Sequence, residues 1–259
     1  MTTYALITGA SKGIGKAMAI SLAKRNYNLL LVARSAAELQ QVADELSQQY
    51  NVKVAFLPTD LTEENAAQKV FDWCVANNYP VSVLINNAGY GLIGRFDALE
   101  LPKQTNMMQL NMLVLVQLTH LFIPLLKIQA DSYILNVAST AAYQAFPNFS
   151  LYSATKAFVV SFSRGIRSEL KDQNISVSCV SPGPVDTNFF NRAGLEAVKA
   201  TLDKLKMHPD EVAEIAIQGM FDRRAEIIPG FLNFISAASN RILPKSLVEK
   251  LTLRIFNQK

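Results

Sequence analysis

A tyrosine, a lysine and a serine in this sequence have a spacing that could support proton transfer. Tyr152 and Lys156 are four residues apart, and Ser139 lies thirteen residues before the tyrosine. Residues four apart on a helix share a face, so this spacing holds an ammonium beside a phenol. A free tyrosine has a pKa near ~10, and a lysine charge ~4–5 Å away in a shielded site offers about 3–4 kcal/mol toward lowering it. The spacing therefore predicts a general acid, provided that the pair is protected from bulk water.

Tyrosine and lysine are both common on solvated helix faces, so whether this pair is catalytic depends on the elements that position it. Strands are predicted near 4–8, 28–33, 52–57, 82–86, 132–138, 175–181 and 226–229, and helices near 14–25, 36–49, 63–77, 104–127, 152–171 and 210–220. Strands that alternate with helices predict right-handed crossovers and a parallel sheet. We therefore predict an α/β fold, in which one domain spanning 1–259 contains a doubly wound parallel sheet of about seven strands with helices on both faces.

Composition narrows the class of protein further. The chain has 259 residues, of which half are hydrophobic, and a net charge of +4. Its basic residues are not clustered with aromatic ones, so we expect no nucleic-acid partner. Cys74 and Cys179 match no metal or redox spacing, and with only His120 and His208 we expect no metal site. No secretory signal pattern opens the sequence, and polar residues interrupt the apolar stretch 107–126, so we expect a cytoplasmic protein with a buried helix there.

A glycine-rich turn follows the first predicted strand. Gly9, Gly13 and Gly15 are spaced Gly-x-x-x-Gly-x-Gly between that strand and a helix. Glycines allow a sharp turn and a close approach of the backbone, and the helix that follows presents its N–H groups to an anion. At the first strand-to-helix junction of a doubly wound sheet, this arrangement is typical of a Rossmann-type site for a dinucleotide pyrophosphate.

The end of the second strand indicates which nicotinamide cofactor binds. NAD enzymes of this architecture usually carry a carboxylate there, whereas this chain has Arg34, and Lys12 adds a second positive charge from the glycine loop. Both could be ordinary surface charges, but both fall at loops expected to face the adenosine ribose. A guanidinium suits a 2′-phosphate, so we predict that NADP(H) is preferred over NAD(H).

Several motifs in one order make the chain resemble the short-chain dehydrogenase/reductase family, in its compact branch. The resemblance runs from residue 4 to about 190. It rests on Thr8-Gly9 through Gly15, Asp60-Leu61, Asn86-Asn87-Ala88-Gly89, Asn111, Ser139, Tyr152 with Lys156, and Pro182-Gly183-Pro184-Val185-Asp186-Thr187.

The resemblance implies a role for each of these positions. The implied catalytic residues are Asn111, Ser139, Tyr152 and Lys156, with Asn111 anchoring a water that leads protons to Lys156. The expected cofactor-binding residues are Gly9, Ser11, Lys12, Gly13, Ile14, Gly15, Arg34, Asp60, Leu61, Asn87, Ala88, Gly89, Tyr152, Lys156, Pro182, Gly183, Val185 and Thr187. Association into a homodimer or homotetramer through the helices near 104–127 and 152–171 is also implied.

These expectations predict an NADPH-dependent oxidoreductase that interconverts a carbonyl and an alcohol. The residues expected around the substrate are largely apolar, which favours a lipophilic small molecule: Tyr90, Leu92, Ile93, Phe96, Tyr143, Phe146, Phe149, Phe189 and Phe190. Several of them could equally pack loops or a subunit contact. Residues 184–208 are predicted to form a substrate lid.

The C-terminal extension, residues 230–259, is apolar with basic residues nearby. It could contact a membrane surface or cover the pocket, although packing on the domain or on a second subunit is the expected role. The alternative function is a non-catalytic NADP(H)-binding sensor or scaffold, which the complete catalytic set disfavours. A sugar-nucleotide epimerase would need a larger C-terminal domain than this chain offers.

Overall fold

The computed structural model of the protein describes residues 3–186 and 206–240. Seven parallel strands form one sheet in the order β3-β2-β1-β4-β5-β6-β7. They are β1 Tyr4–Thr8, β2 Asn28–Ala33, β3 Val54–Pro58, β4 Val81–Asn86, β5 Ser132–Val137, β6 Ile175–Val180 and β7 Glu226–Ile227. This arrangement confirms the predicted α/β Rossmann-type fold.

Helices cover both faces of the sheet. They are α1 Gly13–Ala23, α2 Ala36–Tyr50, α3 Ala66–Ala76, α4 Leu101–Met108, α5 Val114–Lys127, α6 Ser150–Glu169, α7 Pro209–Phe221 and α8 Phe231–Ser239. A π-helical segment, Gln109–Leu113, joins α4 to α5, and one 3-10 turn, Thr140–Tyr143, follows β5.

Successive strand residues point to opposite helix layers, because side chains alternate along a strand. In β1, Ile7 packs in the layer formed with α1, α2 and α7, whereas Leu6 packs in the layer formed with α3 and α5. Leu22 of α1 and Phe122 of α5, both fully buried, lie in these two layers. The core thus fixes both helix layers relative to the strand ends.

The helical stretch Leu101–Lys127 is, by length and composition, apolar enough to cross a membrane, a test that core helices also pass. Its Val114, Leu118, Phe122 and Leu126 are buried in the layer that covers the sheet. This stretch therefore serves as a core element of the fold.

Most predicted elements have bounds that differ by a few residues from those in the structure, and two of these differences have a local cause. The helix expected at 63–77 begins only at Ala66, because Asn65 takes a left-handed φ of 59° that a helix cannot continue. The strand expected at 226–229 ends at Ile227, since Pro229 has no N–H for a strand ladder and Gly230 takes a φ of +88°.

Candidate active site

The Tyr152–Lys156 pair lies in the first two turns of α6. Both side chains are buried, at 6% and 5% exposure. The Lys156 Nζ is 5.7 Å from the centre of the Tyr152 ring and donates a hydrogen bond of 2.8 Å to the carbonyl oxygen of Val137, at the end of β5. The pair is therefore one helical turn apart and shielded from bulk water, as its proposed chemistry requires.

Burial moves the two pKa values in the directions that disfavour charge. Loss of hydration raises the pKa of Tyr152 to about 12, and a hydrogen bond with Ser139 opposes this rise. Loss of hydration lowers the pKa of Lys156 to about 8. The sequence argument expected the lysine charge to lower the pKa of the phenol, but desolvation is the larger effect in this structure. Tyr152 therefore holds its proton at neutral pH and can donate it.

Ser139 follows β5 directly and starts the 3-10 turn. Its Oγ accepts a hydrogen bond of 3.1 Å from the backbone N–H of Ala141, so this serine caps the turn and also lines the crevice. Tyr143 closes the same turn, where its hydroxyl donates to the Glu226 carboxylate and bonds to the Ser181 Oγ at 2.9 Å. These bonds fix the turn that carries Ser139 against β7 and the end of β6.

Asn111 lies in the π-helical segment and is 1% exposed. Its Oδ1 accepts from the Tyr90 backbone N–H at 3.1 Å, and its Nδ2 donates to the Tyr90 carbonyl at 3.0 Å and to the Thr155 Oγ1 at 3.1 Å. A Cβ added at Gly89 would lie 2.9 Å from the Asn111 Oδ1 and 3.5 Å from the Lys156 Nζ. The structure thus brings Asn111 close to the lysine, although it is buried behind the crevice wall rather than lining it.

The glycine loop is built for close backbone approach. Gly9 and Gly13 take φ values of +67° and +54°, and a Cβ at Gly15 would lie only 2.2 Å from the Gly9 carbonyl oxygen. Asn87, after β4, braces the loop through hydrogen bonds from its Nδ2 to the carbonyls of Thr8 (2.9 Å) and Gly9 (3.2 Å). Helix α1 begins at Gly13 without a side-chain cap, which leaves its first amide groups for an anion. The loop therefore fits a dinucleotide pyrophosphate.

The basic residues expected at the adenosine ribose have acidic neighbours. The Lys12 Nζ lies 2.6 Å from the Glu38 Oε1, and both side chains line the crevice. Burial raises the pKa of Asp60, but hydrogen bonds from Thr62 and the Arg34 charge outweigh it and hold that pKa below its usual value. Sequence reasoning missed Glu38, because nothing in the spacing of Lys12 and Glu38 shows that α2 brings them together.

One crevice of about 1470 Å³ lies at the carboxyl ends of the strands, where β1 lies between β2 and β4, and it is lined by the glycine loop, the basic residues and the Tyr152–Lys156 pair. Every cofactor-binding residue predicted from the sequence lines it, within the ranges 3–186 and 206–240. Ser139 lines it as well. Thr187 lies outside the described residues. In the same ranges, no group of three or more His, Cys, Asp or Glu side chains could hold a metal ion.

The apolar residues expected around the substrate separate into groups. Tyr90, Phe146 and Phe149 line the crevice, and the Phe149 ring stacks on the ring of Tyr152 with their centres 4.2 Å apart. Phe96 is 62% exposed. Leu92 and Ile93 pack against a small buried cluster that includes Tyr152, whereas Tyr143 is used by the turn after Ser139. Phe189, Phe190 and most of the lid 184–208 lie outside the part of the chain that the structure describes.

Comparison with known proteins finds a matching family model and similar reductases. A family model described as short chain dehydrogenase matches residues 3–197. The chain is 32% identical to a very-long-chain 3-oxoacyl-CoA reductase of Anas platyrhynchos, over 98% of this chain and 80% of that protein. It is 33% identical to sulfoacetaldehyde reductase 2 of Chromohalobacter salexigens, over 83% of this chain and 87% of that protein.

Among solved structures, a short-chain dehydrogenase from Sphingobium yanoikuyae in complex with NADPH is similar. It is 30% identical and has a TM-score of 0.82, with 93% of this chain and 94% of that chain covered. The match to the family model over most of the chain, together with the shared fold, shows that this protein belongs to the short-chain dehydrogenase/reductase family of NAD(P)-dependent oxidoreductases that act on CH–OH groups.

Proposed function

We propose that the protein is an NADPH-dependent reductase that converts a lipophilic ketone or aldehyde into an alcohol. The observation that carries the proposal is the buried Tyr152–Lys156 pair, beside Ser139, in the wall of the crevice that the glycine loop also lines. A protonated phenol in such a site is an acid positioned for a developing alkoxide.

The cofactor preference is proposed from charge. Lys12 and Arg34 line the crevice beside the glycine loop and would hold a 2′-phosphate, while the loop would hold the pyrophosphate. The Sphingobium yanoikuyae relative is in complex with NADPH, which supports the same choice here. Bound NADPH would supply the hydride, and the protein would supply position and protons.

Three side chains would carry the proton chemistry. The Ser139 hydroxyl would hold the substrate oxygen, and Tyr152 would donate its proton to that oxygen as negative charge develops. Lys156 would stabilise the resulting tyrosinate by its charge. Its 2.8 Å bond to the Val137 carbonyl keeps the ammonium oriented in a buried site. Asn111 would help to return a proton to Lys156 after each reaction. Gly89 lies close to both the Asn111 Oδ1 and the Lys156 Nζ, so the two side chains are near each other.

The proposed substrate class follows from the crevice wall. Phe146, Phe149 and Tyr90 offer aromatic surface next to Tyr152, which suits an apolar group beside the carbonyl. The relative from Anas platyrhynchos is named as a reductase of very-long-chain 3-oxoacyl-CoA, so 3-oxoacyl thioesters are suitable first substrates to test. The name of the Chromohalobacter salexigens relative instead gives a short, anionic aldehyde, which these rings suit less well.

NADPH oxidation measured against carbonyl compounds graded by chain length and ring size tests the proposal. We expect kcat/KM to rise with apolar length and to exceed that for sulfoacetaldehyde. The variant Arg34→Asp should shift the ratio of kcat/KM for NADPH over NADH toward NADH. A flat response to chain length would contradict the lipophilic substrate, and an unchanged cofactor ratio would contradict the NADPH assignment.

A further inference from the structure

Helix α8 presents an exposed apolar face. Phe231, Leu232, Phe234 and Ile235 are 76%, 64%, 54% and 46% exposed. At about 100° of rotation per residue, these four side chains occupy roughly 160° of the helix surface. Within 3–186 and 206–240, the other exposed large apolar residues are separated along the chain, whereas these four are consecutive on one helix apart from Asn233.

The opposite face of α8 attaches the helix beside the crevice. Ala237 is 2% exposed, and the Asn233 Nδ2 donates a hydrogen bond of 2.8 Å to the Pro229 carbonyl. A Cβ at Gly183, which lines the crevice, would lie 2.3 Å from the Asn233 Oδ1. At the end of the helix, the Asn240 Nδ2 donates to the Gln144 Oε1 at 2.9 Å. The helix therefore lies beside the crevice at Gly183, and its apolar face points away from the protein.

The sequence that continues from this helix carries the net charge of the protein. Residues 241–259 contain five basic residues and one acidic residue, while the whole chain has 25 and 21. The first 240 residues are therefore balanced at 20 of each sign. Apolar residues stand between the basic ones in this segment, among them Leu247, Leu251 and Phe256.

We propose that the apolar face of α8 docks the protein on an anionic phospholipid surface, with the crevice opening beside the bilayer. The net positive charge of the sequence that follows this helix, 241–259, selects this occupant. Apolar side chains enter the boundary between headgroups and acyl chains, and lysines and arginines bind the negative surface. Charge favours this occupant over a second copy of the chain, because a dimer through α8 would bring two segments of like charge together. The proposal does not depend on the proposed reductase activity, since it concerns a surface outside the catalytic residues.

Co-sedimentation of the full chain with phosphatidylcholine vesicles, with and without phosphatidylglycerol, tests this docking. We expect the wild type to bind anionic vesicles about fivefold or more tightly than neutral ones, with binding that weakens as salt is added. The double variant Phe231→Ser/Phe234→Ser should bind at least about fivefold more weakly. The charge variant Lys245→Glu/Lys250→Glu, which leaves α8 intact, should lose the preference for phosphatidylglycerol.

Ile128→Ser is the matched control. Ile128 is also 76% exposed but lies just before the amino-terminal end of β5, whereas the crevice lies at the carboxyl ends of the strands, so its loss should leave vesicle binding unchanged. Thermal melting of each variant shows whether it is folded. Absence of wild-type sedimentation would overturn the proposal, as would equal losses in the Ile128 and Phe231/Phe234 variants. A dimer that the phenylalanine variant dissociates, with no vesicle binding, would assign the face to a second copy instead.

Discussion

Replacing Glu38 by glutamine should tighten NADPH binding selectively. The Glu38 carboxylate lies 2.6 Å from the Lys12 Nζ, so it competes with any phosphate for that ammonium. The Lys12 and Glu38 side chains are 51% and 36% exposed, and water therefore screens the pair strongly. A dianionic phosphate that pairs with Lys12 would stand ~5–6 Å from the carboxylate, which at the dielectric of water costs roughly 1 kcal/mol. Removing that repulsion should lower the Kd for NADPH by about fivefold.

Titration calorimetry with NADPH, NADH and 2′,5′-ADP measures this effect without turnover. The variant Glu38→Gln should bind NADPH and 2′,5′-ADP about fivefold more tightly and NADH with little change. Glu45→Gln is the matched control, because Glu45 forms an equally short 2.6 Å pair with Lys16 but does not line the crevice. An unchanged NADPH/NADH ratio in Glu38→Gln, or an equal rise in the control, would refute the reasoning. Failure of the wild type to bind 2′,5′-ADP would instead refute the 2′-phosphate site itself.

Three further predictions concern the loop and the buried polar groups. Gly15→Ala should weaken NADPH binding by about tenfold or more, measured by fluorescence titration, because its Cβ would lie 2.2 Å from the Gly9 carbonyl oxygen. Asn111→Ala should lower the Tm by several degrees in a thermal melt, since it leaves the Tyr90 backbone without hydrogen bonds worth roughly 1–3 kcal/mol. The folded pKa of Lys156, about 8, lies below its ordinary value of 10.5, so between these values the unfolded chain holds a proton that the folded protein has lost. Lys156 should therefore contribute a rise in the free energy of unfolding of the cofactor-free protein from about pH 8 to 10, while the buried thiols of Cys74 and Cys179, whose pKa values burial raises to about 12, oppose it. The difference between the wild type and Lys156→Met, measured by urea unfolding at each pH, should show the rise that belongs to the lysine.

The strands could be predicted because a parallel strand that is buried on both faces consists of an almost unbroken run of apolar residues. Leu29, Leu30, Leu31 and Val32 are fully buried in β2, where both neighbours and both helix layers exclude water. The glycine loop was equally visible, since its backbone angles require a particular residue type.

The charge balance at the crevice could not be read from spacing. Lys12 and Glu38 meet only because α1 and α2 lie side by side in one layer. The sequence also predicted a lowered pKa for Tyr152, whereas burial raises it, because the extent of burial depends on the whole fold.

Two local structures had weaker sequence signals. In the π-helical segment, Asn111 accepts a hydrogen bond from the backbone N–H of Tyr90, which is distant in the sequence. A π-helical turn contains one residue more than an α-helical turn, and nothing in the sequence of 104–127 indicates this insertion. Helix α8 follows Gly230, an accepted residue at a helix N-cap, but its apolar residues face outward. That orientation contradicts the usual rule that the apolar face of a helix meets the core.

Tyr152→Phe tests the central claim most directly, because it removes one hydroxyl from a buried site and leaves the ring stacked on Phe149. Single-turnover reduction and NADPH binding should be measured on the same preparation. We predict that the single-turnover rate constant falls by at least about a hundredfold while the Kd for NADPH stays within about twofold of the wild type. Near-normal turnover in this variant would contradict the assignment of Tyr152 as the proton donor.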